Sequence, residues 1–212
     1  MTESSITAPM PLSVGKVITQ AWGLLLANFV ILFLALLWYG LRSIILAAIA
    51  LYFTVDSPNS PAFVVIAFTI SFSLSYLEFG VLCLKLVRGE RARPIMIPSF
   101  SIIVNWLIAS ILCSIAVVTG IILLVIPGII LSIRWCLYGF AAIDGCNALQ
   151  SLKRSWVLAR GAFWQIFAVS AVLTVPTFFI PNVLEIIRHM AMGLALAVIY
   201  NTRNSAAQVD KQ

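Results

Sequence analysis

The sequence predicts an all-α fold, a polytopic transmembrane helical bundle of about six spans in three hairpins, and three observations carry that prediction. Hydrophobic residues make up 62% of the chain and charged residues only 9%, against about 25% charged in a soluble domain. The apolar residues gather in runs long enough to cross the roughly 30 Å hydrocarbon layer of a bilayer. The lysines and arginines sit at the ends of those runs, where they mark membrane topology.

The elements follow in order. Residues 1–12 are polar, contain Pro9-Met10-Pro11 and are expected to form a disordered tail. No basic segment precedes the first apolar run, which is too long for a signal-peptide core and is expected to remain as an anchor. Ser13 is a candidate N-cap for an amphipathic helix over 13–27. Val14, Val17, Ile18, Ala21, Leu24 and Leu25 line one side of it, and Lys16, Thr19 and Gln20 the other. Such a helix lies along the membrane surface rather than crossing it. Spans are then expected over 28–54, 62–84, 100–126 and 129–143, the last short at about 15 residues but able to cross where the bilayer thins. A second amphipathic helix over 146–160 has Ala148, Leu149, Leu152, Trp156, Ala159 and Phe163 on its apolar side. Two more spans, 163–180 and 183–200, meet at Pro181-Asn182. One membrane domain covers 13–203, and 204–212 form a C-terminal tail.

Charge bias orients the bundle. Lys16, Lys85, Arg88, Arg91, Arg93, Lys153, Arg154, Arg160, Arg203 and Lys211 share one side, ten in all. The turns at 56–61, 127–128 and 181–182 carry no lysine or arginine. By the positive-inside rule both termini are cytoplasmic. Pro127-Gly128 can be read as a turn or as a kink. A kink leaves five spans and moves Lys153, Arg154 and Arg160 outside, so the charges favour the turn.

A short internal repeat accompanies this pattern. Ala21-Trp22, Phe29 and Phe33 match Ser155-Trp156, Phe163 and Phe167 at identical spacing. Ile126-Pro127-Gly128, Arg134 and Gly139 likewise match Ile180-Pro181-Asn182, Arg188 and Gly193. The implied unit is a surface helix feeding a helical hairpin.

The stretch GIILLVIPGII over 120–130 and the stretch ALQSLKRSWVLARG over 148–161 resemble a group of uncharacterised bacterial integral membrane proteins. They are similar to the membrane domain attached to some glycerophosphoryl diester phosphodiesterases. Trp22, Asn28-Phe29 and Arg88-Gly89-Glu90 suit the same group, so the resemblance covers most of the chain. It implies a bacterial inner (cytoplasmic) membrane protein and no activity. Phosphodiesterase chemistry belongs to a separate soluble domain, and no stretch here is long and polar enough to be one.

The ionisable residues within apolar runs are the sharpest functional signal: Arg42, Glu78, Arg134, Glu185, Arg188 and His189. A charge at mid-span costs about 2.5–3.5 kcal/mol on insertion scales, so each arginine needs a carboxylate, a carbonyl, water or a bound anion. Arg42 is placed to stack on Trp38, and Arg134 to pair with Glu185. Alternatively Arg134 and Arg188, at equal offsets past two outer turns, face one shared cavity for an anionic ligand. Arg42, Arg134, Arg188, Glu185 and His189 are therefore the candidate ligand-binding residues. Lys153, Arg154, Arg160, Trp22 and Trp156 are the candidate interfacial lipid contacts.

No HExxH, GxSxG, P-loop or paired-cysteine motif is present. No catalytic residue, metal, cofactor or nucleic-acid partner is expected. The expected partners are the bilayer itself, an anionic lipid, and a second copy or another membrane protein. The leading expectation is a non-enzymatic protein that organises, senses or assembles with lipids or membrane proteins. The alternative is a small transporter or flippase-type protein that handles an anionic or lipid substrate through an arginine-lined cavity.

Overall fold

The computed structural model describes residues 13–54, 60–93, 98–174 and 183–209. Among them the structure is helical throughout, in the order α1 Val14–Ala27, α2 Phe29–Thr54, α3 Ser60–Val87, α4 Phe100–Leu123, α5 Val125–Trp135, α6 Tyr138–Ile143, α7 Ala148–Arg160, α8 Phe163–Thr174 and α9 Val183–Val209. Among the described residues, four stretches are long and apolar enough to cross a membrane: α2, α3, α4, and α5 with α6 together. A fifth exists if α7 and α8, bent by 90° to one another, are taken as one. The fold is an all-α polytopic membrane bundle. The expected tail over 1–12 and the turns at 56–59 and 181–182 lie outside the described residues.

α1 forms as its periodicity predicts. The Ser13 side chain accepts from the Lys16 backbone N–H at 3.2 Å, which caps the first turn. Val17, Ala21 and Leu25 are buried, one every helical turn, and α1 lays that stripe against α9. Asn28 breaks the helix, and α2 starts immediately after it.

α7 repeats this design at a constant offset. Ser13 and Asn147 are both N-caps, Val14 and Ala148 both open helices, and Phe29 and Phe163 both open the next helix. The buried residues Val17, Ala21 and Leu25 correspond to Ser151, Ser155 and Ala159; Leu32 and Ala35 correspond to Ile166 and Val169. The repeat read from Trp22 and Trp156 thus extends to the buried faces.

One face of α7 differs from the expectation. Leu149, placed on the apolar side, is 65% exposed, while Ser151 and Ser155 turn inward. Small hydroxyls fit here because α7 packs tightly under the broken end of α5, where a backbone donor needs a partner.

α4 and α5 form a tight pair, and the chain reverses at Leu124, whose extended backbone separates the two helices. Pro127-Gly128 is therefore not the turn itself but part of the first turn of α5, where proline's missing N–H costs nothing. Gly128 is required there by close approach. A Cβ at that position would stand 2.3 Å from a side-chain carbon of Ile121 and 2.7 Å from its backbone nitrogen. The earlier turn also deepens Arg134: it lies ten residues, or about 15 Å, beyond Leu124, rather than the six residues, or about 9 Å, that separate it from Gly128.

The other ends are closed by local chemistry. α6 stops at Gly145, whose φ of +85° only glycine adopts without strain. The Cys146 N–H then returns to the Ala141 carbonyl at 3.2 Å, satisfying an orphan acceptor. α9 continues to Val209, so much of the segment expected as a tail over 204–212 is helical. Its buried residues from Met190 to Tyr200 sit at the centre of the main core with α1, α3 and α8.

Candidate functional site

A polar cluster is built between α2 and α3. Arg42 Nη1 donates to Glu78 Oε1 at 2.6 Å, and Nη2 donates to Ser75 Oγ at 2.9 Å and to the Ser71 carbonyl at 3.4 Å. Ser43 Oγ lies 2.9 Å from Ser71 Oγ and donates to the Tyr39 carbonyl. The guanidinium rests over the Tyr39 ring at 5.8 Å, not over Trp38 as expected. Helix geometry gives the reason: Tyr39 is three residues before Arg42 and shares its inward face, whereas Trp38 is exposed. Glu78 is 6% exposed. The cluster keeps three unsatisfied buried atoms, Tyr39 Oη, Arg42 Nε and Glu78 Oε2.

Beside this cluster, a cavity of about 510 Å³ opens between α2, α3 and α9. Phe33, Leu37, Ile44, Phe79 and Ile186 give it apolar walls. Four of these, all but Phe79, are more than 40% exposed, so the cavity opens sideways from the bundle. Its polar lining is engaged apart from Tyr39 Oη, which has no partner. Tyr76 Oη and His189 Nε2 share a 3.0 Å hydrogen bond, Ser75 serves Arg42, and Ser43 serves Ser71. Among the candidate ligand residues whose side chains are described, only His189 lines this cavity.

Arg134 lies elsewhere. Its guanidinium sits over the Trp156 ring of α7 at 5.1 Å and the Phe163 ring of α8 at 5.7 Å. Its Nε and Nη1 are buried with no hydrogen-bond partner. Cation–π contact returns about 0.5–2 kcal/mol, less than the roughly 2.5–3.5 kcal/mol that a mid-span arginine costs. The backbone around it is well satisfied. Ser155 Oγ accepts from the Leu137 N–H at 3.2 Å and donates to the Arg134 carbonyl at 2.9 Å, bridging the break between α5 and α6.

Neither of the two described cavities brings Arg134 and Arg188 together. The rings around Arg134 belong to α7 and α8, and the apolar cavity on α9 is lined by neither arginine. Arg188 is half-buried on α9, next to His189. The side chain of Glu185 lies outside the described residues, so its expected pairing with Arg134 does too; Arg134 Nε and Nη1 have no acceptor.

At one end of the bundle, a second polar cluster ties helix termini together. Arg88 Nη2 donates to both Asp144 oxygens at 2.9 Å, and Tyr200 Oη donates to Asp144 Oδ2 at 2.8 Å. Arg203 Nη2 donates to the Gly161 carbonyl at 2.6 Å and to Gln165 Oε1 at 3.2 Å. Burial lowers the pKa of the Arg203 guanidinium from its ordinary value. Arg154, expected among lipid headgroups, turns inward instead. It donates to Asn204 Oδ1 and, at 3.2 Å, to Cys146 Sγ, because its position on α7 faces the end of α9.

Lys153, Arg160 and Trp22 are exposed. Trp156 is only partly exposed and packs 6.2 Å from the Trp135 ring. Sequence reasoning missed Ser155, the serines around Arg42 and the lateral cavity. The serines did leave a signal. Ser71, Ser75 and Glu78 fall at i, i+4 and i+7 on one helix face, and folding the chain about Ser57 sets Ser43 opposite Ser71. Among the described residues, no three His, Cys, Asp or Glu side chains gather into a metal-ligating group. No protein-family model matches the chain, and neither does any curated protein or solved structure.

Proposed function

We propose that this protein is a non-enzymatic, lipid-binding membrane protein whose lateral cavity between α2, α3 and α9 holds a lipid acyl chain. The observation that carries this reading is the cavity's chemistry. Its volume of about 510 Å³ falls in the roughly 300–1,000 Å³ range of small-molecule sites. Its walls are hydrocarbon, and Tyr76, His189, Ser43 and Ser75 already hold hydrogen-bond partners. A ligand here gains by burying apolar surface, not by charge recognition. The opening lies beside residues 33–44, inside the candidate span Phe29–Thr54, so the phase it meets is lipid. A transporter of an anionic solute needs a continuous polar route, which this lining does not favour.

The topology belongs to the same proposal. Six spans place α1 and α7 at the cytoplasmic headgroups, and both termini on the cytoplasmic side of a bacterial inner membrane. The right-angle bend between α7 and α8 supports this placement, as does the one-sided distribution of basic residues.

The test is to purify the full chain from membranes and identify its bound lipids by native mass spectrometry. Gly40 lines the cavity with nothing near its absent Cβ, so Gly40→Leu fills the space without a backbone clash. The wild type should carry an acyl-chain ligand, and the variant should lose most of it. Equal retention by both would sink the cavity reading. So would a wild type that is empty and dimeric, because a helix of a second copy would then occupy the groove.

A further inference from the structure

We propose that Arg134, held between Trp156 and Phe163, binds the phosphate of an anionic lipid headgroup where α5 meets α7. This site is separate from the acyl-chain cavity and does not rest on it.

The arginines whose hydrogen-bond partners are described set the contrast. Arg42 has Glu78, Ser75 and a carbonyl; Arg88 has Asp144; Arg154 has Asn204; Arg203 has the Gly161 carbonyl and Gln165. Each of these charges meets an oxygen supplied by the chain. Arg134 has two buried nitrogens without an acceptor, and the rings beside it contribute π faces only. Rings hold a guanidinium in place but do not neutralise it, so the in-plane donors still call for an anion.

Its location points the same way. Arg134, Trp156 and Phe163 are all partly exposed, so the cradle reaches the bundle surface. It lies beside α7, whose outward positions carry the exposed cations Lys153 and Arg160. Cations of this kind concentrate anionic headgroups near a surface. The two described acidic side chains in salt bridges, Glu78 and Asp144, are committed to Arg42 and Arg88. A planar guanidinium presents its donors in a fixed fork that matches two oxygens of one phosphate, which an ammonium does not.

The experiment uses the full chain in phosphatidylcholine nanodiscs containing a minor share of phosphatidylglycerol with the same acyl chains. Native mass spectrometry reads the headgroup preference of the retained lipid. The wild type should select phosphatidylglycerol, and Arg134→Gln should weaken that selection about tenfold, as expected for losing a charge-assisted bidentate contact. Arg134→Lys keeps the charge and guards against a folding defect; it should fall between the two. Trp156→Phe keeps a π face and should retain the preference, whereas Trp156→Ala should lose much of it. Inorganic phosphate added at the same concentration as the anionic lipid should not displace it. Displacement would show a site for free phosphate and would overturn the lipid assignment. A wild type without headgroup preference, or an Arg134→Gln protein as selective as the wild type, would overturn the site itself. Because the acyl chains are identical, this readout is independent of cavity occupancy.

Discussion

Arg42 and Arg134 both sit in apolar helices, and the bundle settles their charges in opposite ways. Between α2 and α3 the chain supplies a carboxylate, a hydroxyl and a carbonyl, so the guanidinium is neutralised within one hairpin. Between α5, α7 and α8 it supplies two aromatic faces and no acceptor for two of the nitrogens. The first arrangement balances its charge within the chain, leaving only Arg42 Nε, Glu78 Oε2 and Tyr39 Oη without a partner. The second is stable in position yet electrically open, which is the condition for recognising something from outside. The difference lies in what the neighbouring helix offers at the same depth, not in the arginine.

The largest effect should come from breaking the closed pair. Glu78→Gln leaves Arg42 buried without its counter-charge and should destabilise the protein by about 3–5 kcal/mol. Reversible unfolding in mixed micelles would measure this. Replacing both partners, Arg42→Leu with Glu78→Leu, should recover most of the loss, since a buried pair is worth little against apolar packing. A double variant as unstable as the single would mean that Glu78 acts through something other than Arg42.

A smaller effect is expected at the open site's scaffold. Ser155→Ala removes the hydroxyl that serves both the Leu137 N–H and the Arg134 carbonyl. Leaving these buried groups unmade should cost about 1–3 kcal/mol. If Ser155 orients Arg134 as well, the variant should also lose phosphatidylglycerol preference at a temperature where it remains folded. Full preference in a destabilised protein would confine Ser155 to the backbone.

These two regions also mark what the sequence makes legible. The helices, the Ser13 cap and the α1 stripe follow from periodicity, because a helix in lipid must satisfy its own backbone and cannot hide its pattern. The Arg42 cluster was half legible: the serine and glutamate spacing was present, but pairing required knowing that α2 and α3 pack against each other. The surroundings of Arg134 were not legible. Trp156 and Phe163 read as members of an amphipathic face, and only the right-angle bend between α7 and α8 brings both rings onto α5. The depth of Arg134 was misjudged for a related reason. Pro127-Gly128 looked like the turn, whereas the glycine is needed for close packing against Ile121 one turn into the helix.

The topology behind both regions can be tested without altering stability. In a cysteine-free background, a single cysteine at Asn59 or Asn182 should label from outside intact cells, and one at Lys153 should not. This follows from the ten basic residues assigned to the other side. External labelling at Lys153 would place α7, and with it the Arg134 cradle, on the wrong side for the expected bias.

The smallest stability change should come from Arg134 itself, and its sign sharpens the comparison most. In neutral detergent, Arg134→Leu removes a charge without an acceptor, and it also removes contacts with Trp156 and Phe163. The relieved insertion cost of about 2.5–3.5 kcal/mol is reduced by partial exposure and opposed by about 0.5–2 kcal/mol of lost cation–π attraction. The net change should therefore be near zero, within about 1 kcal/mol, in contrast to the large loss at Glu78. Adding phosphatidylglycerol should separate the two proteins. An anion that binds the folded wild type at Arg134 raises its unfolding midpoint by mass action, and the leucine variant should gain less. If Arg134→Leu is instead as damaging as Glu78→Gln in neutral detergent, then Arg134 is a structural element like Arg42. Its aromatic faces would already be its full set of partners, and the distinction between a closed and an open arginine would collapse.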